Sequence, residues 1–485
     1  MAHNYKYAAE QALITFFPGE KHEEINYAPK SGKSCIIKLC NGNYFLSCSC
    51  IIISDNKRFC GIARLRLDSI SKSKVKKESA ISGMIKKAVY KAALSYGINP
   101  PAWGSLTGVR PCKLMSEILL SSKTEKAAKT KFIRKYSVSD KRADLCLEAA
   151  EQSIAVSNSL GDRDICLYVG IPFCPTRCNY CSFISASTEK SMKLIEPYLL
   201  ALYEEIAAVS KIVSKLGLRV TSVYFGGGTP TTLSAEELYH LLTHLTKSFD
   251  LRNISEFTVE AGRPDTITLA KLQVLSNFNV SRISVNPQSM NDRVLDAIGR
   301  KHTARDIVSA LEMVRSFNNF SVNMDLIAGL YSDSVSGFQE SLNTVLDLRP
   351  ENITVHTLSI KKGSFVKNSD VVLPNETAVL EMTDYSISRL YESGYKPYYL
   401  YRQKYMSGGF ENIGWTIPGF ENLYNIAIME ELCSIISLGC GGSTKLISKN
   451  KKMERFFNPK YPTEYIERIQ KICIDKERIN EYYGL

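Results

Sequence analysis

Three cysteines lie within eight residues of this chain, directly after an apolar run at 165–171. They are Cys174, Cys178 and Cys181, so one loop carries three thiols side by side. Thiolates suit iron–sulfur clusters and zinc, and a four-iron cluster normally takes one thiolate for each iron. Four-ligand zinc sites usually combine two separated Cys or His pairs, whereas no histidine follows this loop until His240. We therefore favour an iron–sulfur cluster that lacks one protein ligand over zinc, and over three ordinary buried cysteines.

An iron atom without a protein ligand can chelate a small molecule. The spacing CxxxCxxC, with Tyr180 directly before the last cysteine, resembles the signature of the radical S-adenosylmethionine (SAM) superfamily. In that superfamily SAM binds the open iron through its amino and carboxylate groups. The resemblance therefore implies two cofactors, a [4Fe–4S] cluster and SAM, which carry the radical chemistry while the protein binds and orients them.

Length and cysteine usage limit the class of protein. The chain has 485 residues, which predicts two or three domains, each able to bury a core. Its 14 cysteines are scattered, which fits a reducing compartment better than a disulfide scaffold. The first residues lack the apolar core of a signal peptide, and no apolar run approaches the ~20 residues that span a bilayer. We predict a soluble, cytoplasmic protein without a membrane partner.

The chain is basic, with 61 Lys and Arg against 49 Asp and Glu and a net charge of +12. Part of the excess lies at 121–142, where eight basic residues meet two acidic ones. Two interpretations stay open: an anionic partner such as nucleic acid or a polycarboxylate, or a lysine-rich helix face that is simply solvated. No basic strand with interleaved aromatic residues accompanies the run, so nucleic acid is not an expected partner.

The elements that must position the cysteine loop follow an alternating pattern. Residues 1–160 predict a separate α+β domain of unknown role, with strands at 11–17, 34–39 and 44–53 and helices at 79–96 and 137–160. Beyond residue 160 strands alternate with helices, as in a parallel sheet or barrel. The predicted strands are 165–171, 221–225, 256–260, 282–286, 321–327 and 352–358.

These patterns predict an α/β fold in three parts. Residues 161–365 form a TIM-like partial (β/α)6 barrel of the radical SAM type, preceded by the N-terminal α+β domain. Residues 366–485 form a C-terminal mixed extension that could cover the substrate, with helices predicted at 375–393 and 422–437.

Chemically useful groups follow the predicted strands at their carboxyl ends, where βα barrels carry their reactive groups. The second strand runs into a glycine-rich turn at 226–230, whose missing Cβ atoms let a ligand touch the backbone. The third strand ends in Glu260, the fourth leads to Gln288 and the fifth contains Asp325. These three can accept hydrogen bonds from an ammonium group or ribose hydroxyls, or can be ordinary solvated strand ends. Arg300 could pair with a carboxylate, or be a cation that stabilises a helix C-terminus.

Taken together, six segments resemble the coproporphyrinogen dehydrogenase family, that is, the oxygen-independent coproporphyrinogen III oxidases and their relatives. The segments are 167–174, 224–231, 259–260, 282–289, 298–302 and 323–330. The leading domain and the segments 103–111 and 260–265 are most similar to the HemZ-type branch of that family.

The resemblance implies a role for each matching position. Cys174, Cys178 and Cys181 would hold the [4Fe–4S] cluster. The residues that would bind SAM are Tyr168 near the cluster, Tyr180 at the adenine, Gly227, Gly228 and Thr229 at the methionine part, Glu260, Gln288, Arg300 and Asp325 around the remainder, and the backbone of Leu358 at the adenosine.

The resemblance also implies a reaction. An electron from the cluster would split SAM into a radical that takes hydrogen from a propionate β-carbon of the substrate. Loss of carbon dioxide and one electron would leave a vinyl group, and two rounds would convert coproporphyrinogen III to protoporphyrinogen IX, in haem and porphyrin biosynthesis. The implied partners are this tetrapyrrole and a low-potential electron donor such as flavodoxin or ferredoxin.

This sequence departs from the best-studied oxidases at two positions. Those enzymes carry a fourth cysteine where this chain has Phe183, and a histidine where it has Gly170. Two other hypotheses therefore stay open beside the porphyrinogen reaction. One is a different radical SAM enzyme that acts on haem or RNA, and the other is a non-catalytic carrier that binds haem.

Overall fold

The computed structural model describes residues 5–18, 20–25, 32–70, 73–181, 186–187, 191–359, 373–402, 409–448 and 451–484. The chain divides into two compact units, Met1–Leu147 and Glu148–Leu485. This boundary lies inside a helix that ends near residue 160, and the three-domain scheme above stays a prediction. Within the ranges given, no helix has the length and apolarity needed to cross a membrane.

The first unit packs two helices against one face of a small antiparallel sheet. Its elements are α1 (Lys6–Phe16), β1 (Ser34–Asn41), β2 (Phe45–Ser54), β3 (Lys57–Arg66), α2 (Lys74–Tyr96), α3 (Pro111–Leu120), α4 (Glu125–Tyr136) and α5 (Asp140–Ser159), the last of which continues into the second unit. The strands pair in the order β1-β2-β3. Cys48, Cys50 and Ile52 of β2 are buried in a core that also contains residues of α1 and α2.

One predicted strand of this unit is wrong. Residues 11–17 fall largely in α1, because Ala8, Ala12 and Phe16 recur at the spacing of a helix and are buried on one face of it. The strands predicted at 34–39 and 44–53 are confirmed as β1 and β2. The predicted helix at 79–96 is confirmed as part of α2, which ends at Gly97 with φ +107°.

The second unit alternates strands and helices. Its strands are β4 (Asp164–Ile171), β5 (Phe173–Cys174), β6 (Ala186–Ser187), β7 (Arg219–Gly227), β8 (Glu256–Glu260), β9 (Arg282–Ser284), β10 (Ser321–Ala328), β11 (Asn352–Thr357), β12 (Lys396–Arg402), β13 (Glu411–Thr416), β14 (Ser434–Gly439), β15 (Ser443–Ser448) and β16 (Lys451–Phe457). Its helices are α6 (Ile195–Leu216), α7 (Ala235–Ser248), α8 (Leu269–Asn277), α9 (Asp292–Ala297), α10 (Ala304–Arg315), α11 (Val335–Leu348), α12 (Glu376–Glu392), α13 (Leu423–Glu430), α14 (Pro462–Glu467), α15 (Ile469–Lys476) and α16 (Arg478–Tyr483).

One large sheet organises this unit. Among the residues that the structure describes, eleven strands pair in the order β12-β13-β11-β10-β9-β8-β7-β4-β14-β15-β16. The strands from β11 to β14 in this order run parallel, and antiparallel strands flank them at both ends. The six predicted strands lie side by side in chain order, as β4, β7, β8, β9, β10 and β11. The α/β, TIM-like partial (β/α)6 fold is therefore confirmed.

The C-terminal extension adds a parallel strand that the sequence analysis missed. The helix predicted at 422–437 is wrong in its second half, because α13 ends at Glu430 and β14 follows. All residues of β14 are buried, as is typical of a strand covered on both faces of a parallel sheet. It pairs with β4, and Gly439 lies opposite Gly170. The extension is thus built into the sheet beside the strand that leads to the cysteine loop.

A buried ion pair connects this new strand to the helices. The Lys476 ammonium lies 2.9 Å from the Glu205 carboxylate, and both side chains are almost fully buried. Glu205 also accepts hydrogen bonds from the Gly439 backbone at 2.7 Å, from Asn458 at 2.7 Å and from Tyr465 at 2.5 Å. Because every partner comes from a different element, this carboxylate fixes the end of β14 against α6 and the C-terminal helices.

We predict that Lys476→Met destabilises the second unit by about 3–5 kcal/mol, because it leaves a buried carboxylate without its cation. The measurement is urea unfolding followed by Trp415 fluorescence in a Trp103→Phe background, since the chain has two tryptophans. Lys471→Met, at an exposed position of α15, is the matched control and should change the free energy of unfolding little. Equal stability of the two variants would contradict this role for the ion pair.

Candidate active site

The cysteine loop leaves the carboxyl end of β4, as the sequence predicted. Cys174, Cys178 and Cys181 are partly exposed and none of them forms a disulfide. Among the described side chains, no three His, Cys, Asp or Glu groups converge closely enough to hold a metal ion. The structure therefore places three thiols, none of them in a disulfide, on one loop. Phe183 lies outside the described residues.

The glycine-rich turn after β7 lies directly against this loop. The backbone N–H of Gly228 donates to the Ile171 carbonyl at 2.7 Å, and that of Thr229 donates to the Phe173 carbonyl at 2.8 Å. The Thr229 hydroxyl lies 3.4 Å from the Cys174 sulfur. A Cβ atom on Gly228 would lie 2.6 Å from the Phe173 carbonyl oxygen and 3.0 Å from the Cys174 sulfur. Only glycine permits this approach, so the turn and the loop form one structure.

The end of α9 holds the other side of the loop. The Asn179 backbone N–H donates to the Ile298 carbonyl at 3.0 Å, and its side-chain amide donates to the Ala297 carbonyl at 3.1 Å. Arg300 follows α9 and donates to the Tyr180 hydroxyl at 3.2 Å. The structure therefore brings two of the predicted site residues, Tyr180 and Arg300, into direct contact.

Arg300 is buried rather than solvated at the helix terminus. One of its terminal nitrogens donates to the Gly262 carbonyl at 2.9 Å and to the Asn286 carbonyl at 2.8 Å. Its Nε is buried, and no described residue forms a hydrogen bond with it. Burial opposes the charge, but the neighbouring Tyr180 and Cys178 raise the pKa of the Arg300 guanidinium. This cation thus connects the loops after two strands to the cysteine loop.

Sequence reasoning assigned no role to Arg263, which also holds the cysteine loop. Arg263 is 2% exposed and donates to the Thr176 hydroxyl at 2.6 Å. Asp265 fixes the same guanidinium through two hydrogen bonds of 3.0 and 3.1 Å. The available signal was an Arg and an Asp two residues apart, directly after a strand that ends in a candidate site residue.

Glu260 lies at the end of β8 in an aromatic environment. It accepts a hydrogen bond from the Tyr224 hydroxyl at 2.6 Å. Burial is the main cause that raises the pKa of Glu260 to about 7. Tyr224 stacks on Tyr424 of α13 with ring centroids 4.4 Å apart, and Tyr168 stacks 6.3 Å from both rings. The sequence analysis assigned Tyr168 to SAM near the cluster and did not select Tyr424, which only the fold brings here.

Asp325, within β10, and Gln288, in the segment after β9, are joined by a backbone hydrogen bond. The Gln288 N–H donates to the Asp325 backbone carbonyl at 2.8 Å, in a left-handed conformation with φ +68°. The Asp325 carboxylate accepts from Asn323 at 2.8 Å and lies 3.8 Å from Nε2 of His356. Burial opposes ionisation, but His356 and Asn323 hold the pKa of Asp325 below its usual value. Asp325 is therefore a partly buried carboxylate beside a histidine that the sequence analysis did not name.

Leu358 and Tyr180 belong to the same apolar surroundings. Leu358 is a buried member of a cluster that also contains Ile298 and Tyr331, and Tyr180 packs against this cluster. The Leu358 N–H donates to the Ala328 carbonyl at 2.9 Å, so it is already used within the fold.

Backbone fills the space beside Gly170. A Cβ atom there would lie 2.5 Å from the Cys440 carbonyl oxygen, in the turn that follows β14. On the opposite strand, a Cβ atom on Gly439 would lie 2.4 Å from the Gly170 carbonyl oxygen. No larger side chain fits at position 170 while β14 keeps this pairing.

Known proteins match this chain in sequence and in fold. The model of the radical SAM superfamily matches residues 168–345. The crystal structure of coproporphyrinogen III oxidase (HemN) from Escherichia coli, described as a radical SAM enzyme, covers 67% of this chain and 73% of its own. Its TM-score is 0.54 at 23% identity, so it supports the fold alone.

Curated relatives are more similar in sequence. The heme chaperone HemW of Haemophilus influenzae is 27% identical over 302 residues, which are 62% of this chain and 75% of that protein. The oxygen-independent coproporphyrinogen-III oxidase-like protein HemZ of Bacillus subtilis is 39% identical over 380 residues, or 77% of this chain and 76% of that protein. With this match and the site geometry above, the chain belongs to the radical SAM superfamily and, within it, to the family of HemZ-type coproporphyrinogen-III oxidase-like proteins.

Proposed function

We propose that this protein catalyses the SAM-dependent, oxygen-independent oxidative decarboxylation of coproporphyrinogen III, which converts two propionates to vinyl groups. As a radical SAM protein it uses a [4Fe–4S] cluster and SAM. The observation that carries the proposal is the packing of the Gly228 turn on the Cys174 loop, with Glu260 at the end of β8 and Arg300 directly after α9. The identity to the HemZ relative supports the choice of substrate.

The donor set of the cysteine loop fits an iron–sulfur cluster. Cys174, Cys178 and Cys181 are partly exposed thiols outside any disulfide on one loop, and thiolates are the usual ligands of such clusters. We assign these three residues as the cluster ligands. Arg263 and Asn179 hold the loop from two sides, through Thr176 and through the end of α9. When bound, the cluster and SAM supply the one-electron chemistry and the hydrogen abstraction.

The residues around the loop fit the groups of SAM. The Gly227, Gly228 and Thr229 turn offers a surface without side chains to the methionine part, and Tyr180 with the apolar cluster around Leu358 offers a surface to the adenine. The acceptors for amino and hydroxyl groups are Glu260, Gln288 and Asp325. Arg300 orients Tyr180 and the loops after β8 and β9. Tyr168 lies in the stack beside Glu260.

Aromatic rings support a large, flat substrate. Tyr168, Tyr224 and Tyr424 form one stack, and Tyr399 and Tyr401 form another with centroids 6.4 Å apart. Aromatic faces suit the packing of a tetrapyrrole. We expect electrons for the cluster from a low-potential donor such as flavodoxin or ferredoxin.

A second candidate function is a haem carrier. It is favoured by the HemW relative, which is named a heme chaperone, and by the lack of space for a histidine at position 170. The two functions differ in what happens to SAM, because a carrier does not need to cleave SAM. The substrate assay below therefore separates them.

We predict that the anaerobically prepared protein with a reconstituted cluster forms protoporphyrinogen IX from coproporphyrinogen III, with 5′-deoxyadenosine as a second product. Cys178→Ala should abolish both products, whereas Cys60→Ala, at an exposed thiol of the first unit, should keep them. Product analysis by liquid chromatography measures both. Tight haem binding with 5′-deoxyadenosine at background would instead show a carrier, and 5′-deoxyadenosine released only with haem or RNA would show a different substrate.

We predict that Gly228→Ala lowers the iron and sulfide content of the purified protein severalfold. The new methyl group would collide with the Phe173 carbonyl and the Cys174 sulfur, so the loop must shift. Gly262→Ala is the matched control, because its Cβ would meet nothing nearer than an Asn286 atom at 3.6 Å. If both variants keep the iron content of the original protein, the turn does not set the position of the loop.

We predict that SAM binds about 10-fold more tightly above the pKa of Glu260 than below it, because the ionised carboxylate is the stronger acceptor. Since the pKa of Glu260 is raised to about 7, the dissociation constant should fall as the pH rises through that value. Tyr224→Phe removes a donor that favours the charged form, so the transition should move to higher pH.

Anoxic titration calorimetry across this range gives the SAM dissociation constant at each pH. Glu260→Gln should bind SAM weakly and without this pH dependence. Asp325 and His356 also face Glu260, the first raising its pKa and the second lowering it. A pH transition that persists in Glu260→Gln would therefore belong to one of those two groups and would contradict the assignment.

A further inference from the structure

The positive charge of this protein lies in its first unit. Residues 1–147 contain 26 of the 61 Lys and Arg residues but only 11 of the 49 Asp and Glu residues, a net charge of +15. Residues 148–485 hold the remaining 35 basic and 38 acidic residues, a net charge of −3. The proposed catalytic site lies in the nearly neutral second unit, so the reaction does not account for the basic first unit.

A continuous part of this charge follows one face of α2. Lys76, Lys77, Lys87 and Lys91 fall within an arc of about 100°, since each residue of a helix turns by about 100°. The first and last of them are separated by about 22 Å along the helix axis. Such a row is far longer than a small polycarboxylate, and therefore indicates an extended anion.

The lysines of α2 meet further cations at the end of α4. The Lys87 ammonium donates to the backbone carbonyls of Arg134 at 2.5 Å and Lys135 at 3.2 Å. Lys91 donates to the Ile62 carbonyl of β3 at 3.0 Å. Burial, together with the neighbouring Lys91 and Arg134, lowers the pKa of Lys87. Three cations from two helices, Lys87, Lys91 and Arg134, thus lie close together, and carbonyl oxygens accept hydrogen bonds from the two lysines.

Carboxylates are scarce at this surface. In the described part of the chain, Lys76, Lys77, Lys87, Lys91 and Arg134 form no ion pair, whereas Lys129 on the same helix α4 pairs with Asp140 and Asp144. Like charges this close repel one another, and a bound anion would relieve that repulsion. We define the basic surface as Lys76, Lys77, Lys87 and Lys91 of α2 with Arg134 and Lys135 of α4.

We propose that this basic surface binds nucleic acid through its phosphate backbone. A duplex carries one phosphate charge per roughly 1.7 Å of its axis. It therefore offers anionic groups along the whole length of about 22 Å that the α2 lysines span. A membrane surface fits less well, because membrane-binding helices add large apolar side chains beside their cations. Among the residues described, α4 has no large apolar side chain that is exposed, and α2 has one, Val75, at the start of the helix.

The sequence analysis did not expect nucleic acid, because it looked for a basic strand with interleaved aromatic residues. The basic surface instead combines two helices that are far apart in sequence. Lys87 and Lys91 donate to carbonyls, and within the described ranges the one aromatic ring that contacts a cation of this surface is Tyr136, 5.0 Å from the Lys135 ammonium. Binding should therefore depend on charge rather than on base stacking or base sequence.

The test uses the full chain and fluorescently labelled RNA duplex, DNA duplex and single-stranded RNA, each long enough for about 16 base pairs or nucleotides. Fluorescence anisotropy between about 50 and 200 mM salt gives the affinity and its salt dependence. We expect affinity for at least one of these probes to fall steeply with salt, and the probe bound most tightly identifies the nucleic acid.

The variant Lys76→Gln/Lys77→Gln/Arg134→Gln/Lys135→Gln should weaken that binding by about 100-fold at low salt and reduce the log–log salt slope by about 3 to 4. The matched control, Lys211→Gln/Lys215→Gln/Lys247→Gln/Lys471→Gln, removes the same charge from exposed positions of the second unit and should bind as the original protein does. Lys87 and Lys91 are kept because they bond to the backbone, and circular dichroism checks that both variants stay folded.

Three outcomes would overturn the proposal. They are no binding of any probe at low salt, equal loss in the variant and the control, and binding to phosphatidylserine vesicles but to no nucleic acid. The 5′-deoxyadenosine assay of the preceding section should be unchanged in both variants. Failure of the proposed catalytic function would therefore leave this proposal standing, and the reverse is also true.

Discussion

The candidate site depends on one close approach between two backbone segments. The glycine turn after β7 lies so near the cysteine loop after β4 that Gly228 has no space for a Cβ atom. Two backbone hydrogen bonds and the Thr229–Cys174 contact hold the segments together. Because β4 and β7 are parallel neighbours, their carboxyl ends meet at the same edge of the sheet. The surface offered to a cofactor and the thiols offered to iron are therefore positioned by a single strand pairing.

The C-terminal extension completes this arrangement from within the sheet. β14 pairs with β4, and its end packs so closely that neither Gly170 nor Gly439 has space for a side chain. The buried Glu205 holds the Gly439 backbone and pairs with Lys476. The same extension supplies Tyr424 to the aromatic stack. Position 170 is thus a glycine because the backbone of the extension occupies the space that a side chain would need.

Burial sets the electrostatics at the strand ends. The pKa of Glu260 is raised to about 7, whereas the pKa of Asp325, which lies beside His356, is below its usual value. Arg300 and Arg263 carry permanent charge into the same region and use it to hold the cysteine loop. The two carboxylates, which differ in pKa, can bind a charged cofactor. The two arginines keep the cysteine loop in place.

Sequence alone determined the order of the six central strands along the chain, the loop that carries the three cysteines, and the glycine turn. It could do so because hydrophobic periodicity, turn residues and the spacing of ligands are local properties. It also indicated Glu260, Gln288 and Asp325 through their places at or in predicted strands, and Arg300 through the resemblance to the family. It failed where distant segments decide the outcome. The sequence predicted a helix at residues 434–437, which instead form a strand because they pair with β4. It predicted a strand at residues 11–17, which are largely helical because they share a core with α2. Tyr424, Arg263, His356 and the basic surface became visible only in the tertiary structure, since each gains its meaning from a neighbour far away in the chain.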